Sequence, residues 1–79
     1  DNGIAANEVS HCSAFANGEV GINGTAISHC LAESNGSDGI RAPNGVVAFC
    51  VAEDNNQNND GSLNIDATGA TRTGNKPTP

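Results

Sequence analysis

Two His-Cys pairs, His11-Cys12 and His29-Cys30, and a third cysteine, Cys50, carry the most reactive side chains of this chain. A cysteine beside a histidine is the pairing that makes a thiolate nucleophile, and two of each form the donor set of a structural zinc site. Both chemistries need convergence. Adjacent residues of an extended strand project to opposite sides, so each histidine is carried away from its own cysteine and no catalytic pair or tight zinc site is expected. A surface pair of imidazoles remains, able to hold a metal weakly or to respond to mild acid.

Three further groups have spacing that bears on chemistry. The run Asp54-Asn-Asn56-Gln-Asn58-Asn-Asp60-Gly61 sets oxygen-bearing side chains at alternate positions ahead of a glycine and Leu63, in imitation of a calcium loop. Ala67 stands where the bidentate glutamate belongs and no helical pattern flanks the run, so Asp54, Asn56, Asn58 and Asp60 are weak calcium candidates within a long polar turn. The carboxylates Glu8, Glu33, Asp38, Glu53, Asp54 and Asp60 are assigned to the exterior. Glu33 and Glu53 hold equivalent positions and should stack, as a general acid and base would, yet no Arg or Lys is expected in phase beside them to stabilise an anion. Asn23-Gly-Thr25 and Asn35-Gly-Ser37 match the glycosylation acceptor pattern, which makes Asn23 and Asn35 candidate sugar carriers, and both are also good turns.

What positions these residues is a repeat. The segments around Cys12, Cys30 and Cys50 look alike, with steps of 18 and 20 residues between cysteines, and Ile4, Ile22, Ile40 and Leu63 recur in phase with them at 18, 18 and 23. The chain divides into units at about 3–20, 21–38, 39–60 and 61–75, followed by a tail, 76–79, expected to fray because of its prolines. Asn-Gly pairs at Asn17, Asn23, Asn35 and Asn44 mark turns. Helix is disfavoured by the glycines and by the lack of a sustained 3.6-residue apolar period. Hairpins are the rival, but a meander has no need to return cysteine, isoleucine and alanine to one position per unit, whereas turns stacked like on like do.

Composition narrows the classes further. Seventy-nine residues with two Phe and no Trp, Tyr or Met lack the large side chains of an ordinary two-layer core. A net charge of −6 with three cations gives no footing for nucleic acid. No apolar run approaches the roughly 18 residues of a membrane span, and no cationic leader precedes an apolar segment. The chain reads equally as a mature secreted product or as a piece of a longer protein.

The string Ile-Ser-His-Cys30-Leu-Ala-Glu-Ser-Asn35-Gly-Ser-Asp-Gly39-Ile40, followed by Gly-Val-Val-Ala-Phe-Cys50-Val-Ala-Glu-Asp-Asn55, resembles the repeats of pectin-lyase-like proteins. The resemblance covers residues 3–75 and implies an all-β chain wound as a single-stranded right-handed parallel β-helix of three to four coils, 18–23 residues each. It also implies a bend between Val9 and Cys12 that turns Val9, Cys12 and Ala14 all inward. The expected interior is then four ladders: Ile4, Ile22, Ile40 and Leu63; Val9, Ile27 and Val47; Cys12, Cys30 and Cys50; Ala14, Ala32 and Ala52. Neighbouring cysteines would fall just inside the disulfide window, but in-register side chains do not face one another, and a reduced ladder is the reading adopted. The bend leaves Leu31, Phe49, Val51 and also Phe15 outside, a patch suited to lateral contact.

The function expected on these grounds is that of a secreted, non-enzymatic structural or adhesive module of the extracellular surface, without a cofactor. It would stack head to tail with other copies into a filament, both ends being read as uncapped, or continue a larger surface protein. The alternative is a fragment of a carbohydrate-active β-helix enzyme, a lyase or hydrolase, with carbohydrate as its partner.

Overall fold

The computed structural model describes residues 3–59, 61 and 63–77. Among them are eleven strands of two or three residues and no helix. They are β1 (Ile4–Ala5), β2 (Glu8–Ser10), β3 (Ser13–Phe15), β4 (Ile22–Asn23), β5 (Ala26–Ser28), β6 (Leu31–Glu33), β7 (Ile40–Arg41), β8 (Val46–Ala48), β9 (Val51–Glu53), β10 (Ile65–Asp66) and β11 (Thr71–Thr73). Each pairs in parallel with the strand three elements further on, which sorts them into three parallel sheets: β1-β4-β7-β10, β2-β5-β8-β11 and β3-β6-β9. Parallel neighbours need a connection that carries the chain round, and here the other two strands of each unit supply it.

The strands are short because the chain turns on left-handed residues at two places per unit. His11, His29 and Phe49, with φ of 54, 51 and 54°, separate the second strand from the third, and Ala16, Ser34 and Asp54, at 52, 58 and 53°, follow the third. One such residue breaks the two-residue alternation of the strand, so Val9 and Ala14 both face inward across the corner while Ser10, His11 and Ser13 stay exposed. Left-handed geometry costs an L-residue about 1–2 kcal/mol, so contacts between units must offset it at every corner.

Those contacts are in-register ladders. Ile4 pairs with Ile22 and Ile22 with Ile40; Val9 with Ile27 and Ile27 with Val47; Ala14 with Ala32 and Ala32 with Ala52. Ile22, Ile27, Ile40, Val47 and Cys50 are fully buried, and Cys12 and Ile4 pack against the same cluster from one end. Small residues suffice because three short sheets enclose a narrow interior, where an Ala ladder fills what a Leu would overfill.

Two of the expectations are corrected here. The fourth member of the isoleucine ladder is Ile65, which pairs with Ile40 and is buried, whereas Leu63 is exposed. The connection between β9 and β10 is five residues longer than its counterpart between β6 and β7, and that between β7 and β8 is two longer than that between β4 and β5; the first alone carries the 18-residue step to Leu63, and both together carry it to Ile65. The tail does not simply fray: Lys76 pairs with Val51 in a parallel bridge, its N–H donating to Cys50 O and its carbonyl accepting from Ala52 N, both near 2.9 Å. Proline interrupts a ladder only where its own nitrogen is needed, and Lys76 stands ahead of Pro77. Residues 78 and 79 lie outside the described residues.

Candidate functional site

The corner and strand geometry sets out three rows of side chains that carry chemistry. On the first corner the rings of His11 and His29 stack with centroids 4.9 Å apart and planes within 5°, and Phe49 continues the stack at 5.3 Å from His29. Next in line is Gly74, also left-handed, where a Cβ would collide with the Phe49 ring. The cysteines run behind this corner, on the inside. Their thiols donate to backbone carbonyls two residues back, Cys12 to Ser10, Cys30 to Ser28 and Cys50 to Ala48, at 3.1–3.3 Å, and all three are free. Burial pushes the Cys50 thiol above its ordinary pKa, so it is kept protonated. His and Cys therefore face opposite ways, and among the described residues no group of three or more His, Cys, Asp and Glu is arranged to hold a metal ion.

The second row lies outside β6 and β9. Glu33 and Glu53 are in register, Phe15 precedes them, and Leu31 and Val51 form the neighbouring row. The bridge that carries Lys76 also brings its Nζ to 3.1 Å from a Glu53 carboxylate oxygen. The row thus has a cation beside it, reaching over from the register of Leu31 and Val51, and the sequence does not disclose that register. Both partners are well exposed, so the pair contributes little stability. Phe15 and Phe49 are more than half exposed, whereas Leu31 and Val51 are half-buried, so the apolar patch is broken rather than continuous.

The third row was missed. Asn17, Asn35, Asn55 and Asn64 form a ladder of carboxamides: each Nδ2 donates to the next Oδ1 at 2.8–3.0 Å, and each backbone N–H donates to that same oxygen at 2.9–3.1 Å. The Nδ2 groups of Asn35 and Asn55 also donate back to Ala14 O and Ala32 O. Asn35 is completely buried, and among the described residues every buried polar side-chain atom has a partner. The signal lay in the phase, since Asn17, Asn35 and Asn55 each follow a cysteine by five residues. An Asn-Gly pair signals a turn, and nothing in it shows that Asn35 is buried.

This placement removes Asn35 as a sugar carrier, because its carboxamide is spent on the ladder and shielded from solvent. Asn23 is half-buried on the outer side of β4, between Ala5 and Arg41. Of the calcium candidates, Asp54 is an exposed corner residue, Asn58 donates through Nδ2 to Gly18 O, and Asn56 follows Ser37 by its backbone. Asp60 lies outside the described residues. Asp38 behaves structurally, its buried carboxylate accepting from Arg41 Nε and from Leu63 N–H, each at 2.8 Å.

An open groove over β2 and β5 is lined by Glu8, Ser10, Ala26, Ser28 and Val46, with Glu8 as its one ionisable side chain. No helix among the described residues is long and apolar enough to cross a membrane. Compared with known proteins, the chain matches no family model, no curated protein and no solved structure.

Proposed function

We propose that the chain is a non-enzymatic structural module, a right-handed parallel β-helix of pectin-lyase-like form whose work is to hold a stacked β surface. The carrying observation is that its potentially reactive groups are consumed by the stack. The thiols are inside and bonded to carbonyls, the imidazoles stack edge-out on a corner, and the carboxamides tie one unit to the next. A catalytic constellation spends its polar groups on a substrate instead. Winding is supported by the regular step of three strands between partners, and right-handedness is the rule for parallel crossovers.

Interunit NOEs test the winding: Hα contacts from Ile22 to Ile40 and from Ala32 to Ala52 are expected, and antiparallel fold-back contacts would overturn it. Incubation with acidic and neutral polysaccharides tests the absence of catalysis, with no new reducing or unsaturated ends expected. The second reading, a fragment of a carbohydrate-active enzyme, is favoured by one feature, the Glu33, Glu53 and Lys76 row. Turnover that disappears in Glu53→Gln would establish it in place of the structural role.

A further inference from the structure

The two ends of the stack differ in kind. At the β10-β11 end the isoleucine ladder keeps its type in Ile65, but the corner and second-strand ladders finish on residues of another type. Arg72 stands in register with Val47, at the head of the Val9, Ile27 and Val47 ladder, and all of β11 is exposed. Asn75 follows Cys50, its Oδ1 accepting from Cys50 N at 2.9 Å and its Nδ2 donating to Val47 O at 2.8 Å. The ring row finishes on Gly74. The carboxamide ladder finishes on Asn64, whose backbone occupies the place that Gly39 holds in the unit before, so its side chain substitutes for the asparagine of a further unit.

At the other end the same ladders stop in mid-pattern. Ile4 and Cys12 are only part-buried core residues, the outer ring face of His11 has no ring neighbour among the described residues, and β1, β2 and β3 are edge strands, as β9, β10 and β11 are at the far end. Asn17 Oδ1 is the acceptor that in Asn35 and Asn55 takes two N–H groups from the unit before, and among the described residues no donor reaches it.

Resting on the stacked reading above, we infer that the β1-β2-β3 edge is a docking surface for one more unit of the same repeat laid parallel, while the β10-β11 end is a cap that refuses one. The occupant is defined by the ladders it must extend: Ile and Val or Ile inward, Cys or another small apolar residue at the corner, and an asparagine whose N–H and Nδ2 both reach Asn17 Oδ1. The β10-β11 end of a second copy does not meet this description, because it would set the Arg72 guanidinium on Val9 and Asn75 on Cys12. Head-to-tail fibres of this chain are therefore disfavoured, and the module is the closing block of a stack.

The test is to insert, in otherwise full-length chains, a second copy of residues 21–38 immediately before Gly3 or a second copy of residues 33–52 immediately after Pro77, each of which continues the register on its side. Urea unfolding and amide exchange are then measured for each. The first duplication is expected to raise the unfolding midpoint by on the order of 1 M and to add a unit of protected amides, and the second to leave the midpoint in place with its added residues unprotected. Equal gains at both ends would overturn the polarity while leaving the stacked reading intact; no gain at either end would overturn the stacked reading itself. Combining Arg72→Val and Asn75→Cys should make the second duplication stabilising. If these changes leave it inert, the cap does not reside in those residues.

Discussion

Asn35 shows how a side chain usually found at a surface becomes the interior standard of this molecule. Its carboxamide makes four bonds to three other residues, to Asn17 N and Nδ2, to Ala14 O and to Asn55 Oδ1. Removing it leaves Ala14 O unpaired in a buried site and the Asn17 and Asn55 groups unpaired in part-buried ones, so Asn35→Ala should cost roughly 2–4 kcal/mol in urea unfolding. Asn35→Asp should be at least as damaging, since an oxygen would replace the donor that faces Ala14 O. Cys50 adds a pH dependence. Burial holds its folded-state pKa above the ordinary 9.0, so the folded chain keeps a proton that the unfolded chain gives up. That contribution is fully present below the ordinary thiol range and is lost as pH rises through it. The urea midpoint should therefore fall above about pH 9, and Cys50→Ala should flatten the fall. A fall unchanged in Cys50→Ala would assign it to other groups.

At the scale of the strand and its turns, spacing decides what is tolerated. A Cβ on Gly45 would overlap the carbonyl oxygen of Thr25 in the adjacent unit, and one on Gly36 would overlap Gly18 O. These are backbone atoms that cannot step aside without parting the sheets. Gly45→Ala should cost about 2–4 kcal/mol by thermal or urea unfolding, far more than an alanine at an exposed turn. The corners make the opposite case. Ala16 is exposed with φ of 52°, and Ala16→Gly relieves about 1–2 kcal/mol of strain against a backbone entropy loss of about 0.4–1. A modest rise in melting temperature is the outcome expected, and a drop would show that the corner is held by something other than its own torsions. These elements also mark what sequence can disclose. The Val9, Ile27 and Val47 ladder and the Ala14, Ala32 and Ala52 ladder were legible because β-branched apolar residues recur at one phase and alanines at another. Leu63 stands where Ile65 belongs if only the polar turn is counted, because the two extra residues between β7 and β8 shift the phase without a compositional sign, and the partnership of Lys76 with Glu53 depends on a register that only the bridge to Val51 reveals.

For the molecule as a whole, stability should be graded along the stack. Apart from the Asn58 Nδ2 bond to Gly18 O, units are joined by strand pairing with their neighbours, so the inner ones, containing β4 to β9, are supported on two sides and the outer ones on one. Hydrogen exchange should show amides of β5 and β6 opening most rarely and those of β1 and β11 most readily, whereas uniform protection would indicate a single cooperative block. The all-β parallel class and the repeat were readable from the chain because they rest on periodicity. The difference between the two ends was not, since Arg72, Asn75 and Asn64 look like ordinary surface residues until their register is known.

The carboxamide ladder also bears on how this protein ages. An asparagine followed by glycine loses its amide when the next backbone nitrogen attacks the side-chain carbonyl, and that attack needs a free nitrogen and a mobile carboxamide. At Asn35 neither is available, for Gly36 N is bonded to Asn17 O and the side chain is held at both ends. Asn44, exposed and left-handed ahead of Gly45, has no such restraint on its side chain among the described contacts. In prolonged incubation at mildly alkaline pH, peptide mapping should find the one-dalton gain at Asn44 long before Asn35, and the delay at Asn35 should vanish once the chain is unfolded.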